Sequence, residues 1–264
     1  MRDVMAYEFV TVERDGALTI VTLNRPEVMN ALHSPAHFEL AQVFDAFAAD
    51  PEQWVAIVTG AGERAFSAGN DLKHQAGGGR MGNPPSGFAG LTTRFDLTKP
   101  LIAAVNGVAM GGGFEIALAC DIIVASEAAV FALPEPRVGL AALAGGLHRL
   151  PRAIGTKRAM GMILTGRRVS AAEGHELGFV NEVVAPGELM AAARRWAGQI
   201  MELSPMSIRA SKQAVYRGLD EPSLEAAMAT QRSYSGIVAL VGSEDFVEGP
   251  LAFSQKRPPQ WKGR

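Results

Sequence analysis

Apolar residues are not spread evenly along this chain. Near its start, "YEFVTVERDGALTIVTLNRP" (residues 7–26) alternates apolar and polar positions, and Asp15-Gly16 interrupts the alternation. A period of two puts successive side chains on opposite faces of a strand, and Asp-Gly suits a tight turn, so two strands joined as a hairpin are expected. After Ser34-Pro35 the period lengthens. "AHFELAQVFDAFAAD" (36–50) carries apolar residues at helical spacing, with Ser34 reading as an N-cap and Pro35 as the first helical residue.

Three short, mostly apolar runs follow: "WVAIVTG" (54–60), "LIAAVNG" (101–107) and "IIVAS" (122–126). Continuous apolar runs of this length read as strands covered on both faces, and strands alternating with helices imply a layered α/β core. Between the first two runs lies "HQAGGGRMGNPPSGFAG" (74–90), whose Gly and Pro content predicts a mobile loop without regular structure, either an insertion or a lid. From about residue 155 the strand signals fade. "PGELMAAARRWAGQIMEL", "PMSIRASKQAVYRG" and "EPSLEAAMATQRSY" are helix-like, each opening near a proline or an acidic residue. The last stretch, "SEDFVEGPLAFSQKRPPQWKGR" (243–264), is mixed in charge and contains Phe246 and Phe253. The pattern divides the chain into an α/β part, residues 1–195, and a helical C-terminal part, residues 196–264.

Composition narrows the function classes. With 264 residues, 48% hydrophobic, the chain is long enough to bury a sizeable core. A formal net charge of -2 without a long run of one sign gives no electrostatic footprint for nucleic acid or for an anionic membrane surface. No apolar stretch reaches the ~18 residues of a membrane span. "MRDVMAYEFVTVERDG" lacks the apolar core of a signal peptide, and the single Cys120 lies in an apolar run, so a cytoplasmic, reducing setting is expected.

The candidate chemistry centres on "NGVAMGGGFEIALACD" (106–121), where Glu115 stands inside an apolar run directly behind Gly111-Gly112-Gly113. Burying a lone carboxylate is costly unless it is paired, hydrogen-bonded or protonated. Glycines between a strand and a helix let a backbone approach a ligand at a helix N-terminus, where free N–H groups favour negative charge. The same glycines also suit close packing of that helix against a strand. Glu135, held between two prolines in "FALPEPRVGL", is a second carboxylate that is either an exposed loop residue or an acid–base partner for Glu115.

Other chemistries find less support. Gly60-Ala61-Gly62 follows a strand, but no glycine stands three residues on and no helix opens there, so the dinucleotide fingerprint fails. There is no Gly-Lys-Ser/Thr phosphate loop and no Gly-x-Ser-x-Gly elbow. The five histidines (33, 37, 74, 148, 175) lack metal-ligand spacing, so no metal site is expected. "RAFSAGNDL" (64–72), taken alone, is a turn.

Taken together and in order, these segments resemble the crotonase (enoyl-CoA hydratase/isomerase) family over nearly the whole chain. "LNRPEVMNAL" resembles the family's first-strand exit, "FSAGNDL" its first oxyanion segment and "IAAVNGVAMGGGFEIALACD" its central signature. "FALPEPRVGL" resembles the second catalytic segment and "AMGMILTGRRVSAAEGHELGFVNEVV" the stretch that follows it. The resemblance implies an α/β spiral of ββα turns, a helical C-terminal region used in trimerisation, and acyl-CoA thioester substrates. It implies no separate cofactor, since coenzyme A enters as part of the substrate, and a homotrimer or a dimer of trimers.

By motif match the resemblance assigns backbone N–H groups of Ala68 and Gly112 to the thioester oxygen. It assigns Glu115 to activation of water and Glu135 to the proton at C2. Val28, Ala68, Gly69, Asn70, Asp71, Leu72 and Gly112 would line the substrate, with Phe253 and Lys256 capping the CoA site. Retention of both acids favours hydration and dehydration. Δ3-Δ2 isomerisation on the same scaffold, and a non-catalytic binding protein, are the alternatives. "SGFAGLT" (86–92), "FALPE" and the C-terminal stretch resemble the crotonobetainyl-CoA hydratase branch. The chain departs from the family at Ala142-Leu143, where the family commonly has Pro followed by Gly or Asp.

Overall fold

The computed structural model describes residues 2–79 and 82–264. They fall into two units: Met1–Arg94 with Leu101–Arg195, and Phe95–Pro100 with Trp196–Arg264.

The first unit opens with β1 (Arg2–Ala6), β2 (Val10–Asp15) and β3 (Leu18–Leu23), paired antiparallel. The hairpin forms where Asp15-Gly16 predicts it: Asp15 pairs with Leu18, and Gly16 takes φ +61° in the turn. Then comes α1 (Ser34–Ala49), one residue displaced from expectation. His33 is the extended cap residue and Ser34 the first helical one. The helix forms through burial of Leu40, Phe44 and Phe47 rather than through its cap, which carries no side-chain hydrogen bond.

Thereafter the chain repeats a pattern. β4 (Val55–Gly60), β5 (Ala65–Ser67) and α2 (Leu72–Ala76) make one turn; β6 (Leu101–Val105), β7 (Val108–Met110) and α3 (Gly112–Ala119) make the next. β8 (Ile122–Ser126) and β9 (Val130–Ala132) begin a third, followed by α4 (Gly146–Ile154) and α5 (Thr156–Thr165). β10 (Val169–Ser170), α6 (Ala171–Leu177) and β11 (Glu182–Val184) complete the sheets. In each turn the first strand joins a seven-stranded sheet, in order β1-β2-β3-β4-β6-β8-β11. The second joins a four-stranded sheet, in order β10-β9-β7-β5. The result is a spiral of ββα turns. From β3 onwards the large sheet is parallel, and every residue of β4 and β6 is buried, as their unbroken apolar runs require.

Some elements escape the sequence pattern. β1, β10 and β11 are short or weakly alternating, and partners fix them: β10 pairs with β9, and β11 runs parallel to β8. The loop expected over residues 74–90 is partly structured. α2 runs into it, capped by Asp71, whose Oδ1 accepts the His74 N–H at 3.1 Å, and Phe88–Gly90 form a 3-10 turn. Arg80 and Met81, also in that predicted loop, lie outside the described residues.

The helices continue with α7 (Leu189–Met201), α8 (Pro205–Asp220), α9 (Leu224–Thr230), α10 (Ser235–Val241) and α11 (Glu244–Ser254). Ser204, Ser223 and Ser243 cap α8, α9 and α11 with their hydroxyl oxygens. Within the second unit the buried Asp245 accepts the Ser204 hydroxyl at 2.8 Å and the Lys262 N–H at 2.7 Å, while the Trp261 indole N–H donates to the Glu202 carbonyl at 2.9 Å. These bonds pin the extended C-terminal residues to the unit. Among the described residues no helix is long and apolar enough to cross a membrane.

Candidate active site

The three glycines behind β7 each meet a different neighbour. Gly111 has φ +53°, and a Cβ there would stand 2.8 Å from Glu135 Oε1. A Cβ on Gly112 would meet the Phe88 ring at 2.5 Å, and one on Gly113 the Ser67 carbonyl oxygen at 2.0 Å. The triplet therefore lets a carboxyl, an aromatic ring and a second strand close in on the N-terminus of α3. Gly112, as the first helical residue, has no intrahelical acceptor for its N–H.

Glu115 lies in the first turn of α3, buried with only 3% of its surface exposed. Its Oε1 accepts the Gly146 N–H at 2.9 Å. Burial pushes its pKa up to about 7. The Gly146 N–H pulls the other way, the Glu135 charge adds to the rise, and the Ala144 N–H and Arg149 charge oppose it. Glu135 opens a 3-10 turn (Glu135–Val138) between Pro134 and Pro136. Burial raises its pKa as well, and its buried Oε2 has no hydrogen-bond partner. An unpartnered carboxyl oxygen in a folded core calls for a ligand or a proton. The misfit carboxylate of the apolar run thus has a second acid beside it.

The "FSAGNDL" segment runs against the same glycines. A Cβ on Gly69 (φ +88°) would lie 2.6 Å from the Met110 carbonyl oxygen and 2.8 Å from the Gly112 nitrogen, so the Gly69 backbone abuts the start of α3. The Ser67 hydroxyl donates to the Asn30 carbonyl at 2.8 Å and accepts the Gly69 N–H at 3.1 Å. One expectation needs correction here. The Ala68 N–H, assigned by motif match to a substrate oxygen, already donates to the Met29 carbonyl at 2.9 Å. The next free donor is Asn70, whose N–H has no acceptor among the described residues. Its neighbours are tied into a bridge, with Leu32 N–H on the Gly69 carbonyl and Asp71 N–H on the Leu32 carbonyl.

The other expected substrate residues take mixed positions. Val28, half-buried, ends an otherwise exposed 3-10 turn, Pro26–Val28, followed by Met29 and Asn30 at positive φ. Asp71 is a structural residue: it pairs with Arg25 at 3.1 Å and caps α2, at whose first position Leu72 is exposed. Phe253, largely exposed on α11, and Lys256, at φ +53°, belong to the second unit. At the departure from the family pattern, Ala142 is buried with its Cβ close to Gly146, while Leu143 is exposed.

Sequence reasoning missed Met29, Gly146, Arg149 and the pair His37 and Phe88 as parts of this site. The buried His37 Nδ1 accepts the Ala89 N–H at 3.1 Å, its ring lies 4.3 Å from that of Phe88, and burial lowers its pKa to about 4. The apolar spacing of α1 marks His37 as inward-facing, but only the tertiary contact gives it a partner. Among the described residues no group of three or more His, Cys, Asp or Glu is gathered as for a metal ion.

A spiral of ββα turns that sets a buried and a half-buried carboxyl against a glycine-lined helix N-terminus is the architecture of crotonase-type proteins. Residues 13–264 match the family described as Enoyl-CoA hydratase/isomerase, and the chain belongs to that family. It is 46% identical over 263 residues to carnitinyl-CoA dehydratase of Escherichia coli K12, covering 97% of this chain and 99% of the relative. The enzyme of the same name in Salmonella typhi is equally similar, at 46% over 263 residues. Among solved structures, an enoyl-CoA hydratase from Mycobacterium marinum superposes with TM-score 0.91 at 39% identity, covering 98% of this chain and all of the other. One from Mycobacterium tuberculosis gives 0.90 at 38%, with the same coverage.

Proposed function

We propose that the protein is an enoyl-CoA hydratase-type lyase, adding water reversibly across the 2,3 double bond of an acyl-CoA thioester. The observation that carries this reading is the pair Glu115 and Glu135. Both are pushed by burial toward holding a proton, and the Glu135 charge adds to the rise at Glu115 beside the same glycines.

In the proposed hydration, ionised Glu115 takes a proton from water as the oxygen bonds to C3. The electrons of the double bond move toward the thioester oxygen, and protonated Glu135 delivers a proton to C2. One acid gains the proton the other loses, and reversal gives dehydration. A proton affinity near neutrality in Glu115 suits a group that must both take and return a proton. The transient oxyanion would be held by the N–H of Gly112 and, because Ala68 is engaged by Met29, by that of Asn70. One such donor is typically worth about 10²–10³ in rate. Addition of water is neither oxidation nor reduction, so the reaction as written balances without a cofactor beyond the CoA of the substrate.

Identity to the carnitinyl-CoA dehydratases supports the pair crotonobetainyl-CoA and carnitinyl-CoA as substrates. A cytoplasmic enzyme acting as a homotrimer or dimer of trimers remains part of the proposal. The exposed Val215, Leu219, Leu224 and Met228 of the second unit are apolar surface of the kind that self-association covers.

The test is loss of enoyl-thioester absorbance on mixing purified protein with crotonyl-CoA and with crotonobetainyl-CoA, with product analysis separating hydration from double-bond migration. Glu115→Gln and Glu135→Gln should each lower kcat by about 10²–10⁴ while thioester binding persists. Full activity in both variants overturns the reading.

A further inference from the structure

Gly145 and Gly146 lie between two charged groups. A Cβ on Gly146 would come within 3.1 Å of Glu115 Cγ and Oε1, and a Cβ on Gly145 (φ +110°) would come within 2.1 Å of Arg149 Nη1. Carboxyl and guanidinium thus each press on one member of a two-glycine spacer at the start of α4. The Gly146 N–H donates to Glu115 at 2.9 Å, and the Arg149 N–H closes back on the Gly145 carbonyl at 2.8 Å. From the other side, Arg149 Nη2 donates to the Thr92 carbonyl at 2.8 Å, in the segment that also carries Phe88.

We propose that Arg149 is a positioning residue for Glu115: it clamps the Gly145-Gly146 turn against the Thr92 carbonyl, keeps the Gly146 N–H on the Glu115 carboxyl, and turns a positive charge toward that carboxyl so that Glu115 is ionised when it must accept a proton. The role rests on the hydratase reading above for its consequence, though not for its geometry. Of the two charges acting on Glu115, Glu135 from the turn after β9 favours the protonated form, while Arg149 from α4 favours the ionised one. Backbone N–H groups of Ala144 and Gly146 act in the same direction as Arg149. Arginine suits the task because its planar guanidinium holds the Thr92 carbonyl at fixed geometry beside Gly145 while keeping its charge at all working pH. A flexible ammonium would supply the charge without the clamp.

The test is the titration of the Glu115 carboxyl in full-length protein, followed by ¹³C NMR after glutamate labelling, with the signal identified by its absence in Glu115→Gln. Arg149→Met and Arg149→Gln remove the charge; Arg149→Lys retains it without the fork. The midpoint should move to higher pH in both neutral variants and by a smaller amount in Arg149→Lys, which keeps the charge but not the clamp on the Gly146 N–H. With crotonyl-CoA, the acid limb of kcat should move up in step while KM holds, a one-unit shift meaning about tenfold less ionised Glu115 below the midpoint. An unmoved midpoint in the folded neutral variants overturns the proposal. So does loss of fold in both neutral variants beside a native-like Arg149→Lys, which would assign Arg149 to scaffold support. A native protein that turns over no enoyl thioester would overturn the reaction while leaving the titration to decide the role of Arg149.

Discussion

Glu135 Oε1 stands 2.8 Å from the point that a Cβ on Gly111 would occupy, and Gly111 itself has φ +53°. A residue with no side chain is thus what allows the second acid to reach the start of α3. The Gly111 N–H meanwhile donates to the Ala132 carbonyl at 2.9 Å, which holds β7 and β9 together on either side of the contact.

Gly111→Ala should therefore uncouple the two acids. The methyl group displaces the Glu135 carboxyl, and the backbone strain costs of order 1–3 kcal/mol. We expect a folded protein with a lowered melting temperature and a kcat reduced by about 10² or more, the scale of a lost acid–base group. Calorimetry and crotonyl-CoA kinetics on one preparation check both halves.

The raised pKa of Glu115 has a consequence for stability. Its ordinary value is 4.5 and its folded value about 7, so folding takes up a proton between these limits. The group favours the folded state fully below pH 4.5, and that contribution is lost as pH rises through 7. Glu115→Gln, which mimics the neutral acid, should match the native protein near pH 4 and exceed it above pH 7, by roughly 3 kcal/mol at most. Denaturant unfolding at pH 4 and pH 8 measures the difference. Equal differences at both pH values would contradict it.

The neighbouring glycines should fail in different ways. At Gly113 the obstacle to a Cβ is the Ser67 carbonyl at 2.0 Å, which is backbone; at Gly112 it is the tip of the Phe88 ring at 2.5 Å. Gly113→Ala should cost several times more stability than Gly112→Ala. Adding Phe88→Leu should recover much of the Gly112→Ala loss and none of the loss at Gly113. A double-mutant cycle on unfolding free energies reads this directly.

An ester bond in place of the peptide N–H at Asn70 should lower kcat by about 10²–10³ with little effect on folding, because that donor has no acceptor among the described residues. The same replacement at Ala68 should instead weaken the fold, because its N–H holds the Met29 carbonyl. Semisynthetic protein assayed for turnover and thermal melting separates the two. A larger kcat loss at Ala68 would return the oxyanion to that residue.

Much of the molecule was legible in one dimension. The hairpin at Asp15-Gly16, the buried strands β4, β6 and β8, and the helices α7 to α9 are written in local periodicity and turn chemistry, which act over a few residues; α10 and α11 were not read from the sequence. β10 and β11 were not, since two or three residues carry no period of their own and pair only when β9 and β8 are present. The first helical residue of α1 was misplaced by one because packing of Leu40, Phe44 and Phe47, rather than a cap bond, sets where that helix begins.

The same division runs through the site. By itself the sequence determined that three glycines precede a carboxylate in an apolar run and that a second carboxylate is stiffened between prolines. Those are properties of neighbouring residues. Only the tertiary structure decided that Glu115 and Glu135 act on one another, that the Gly146 N–H faces Glu115, and that Met29 engages the Ala68 N–H. Each joins residues at least 20 positions apart, and only the folded sheets bring them together. Hydrogen bonds and desolvation act over a few ångströms, so the chemistry of this site begins where the ββα turns close upon one another.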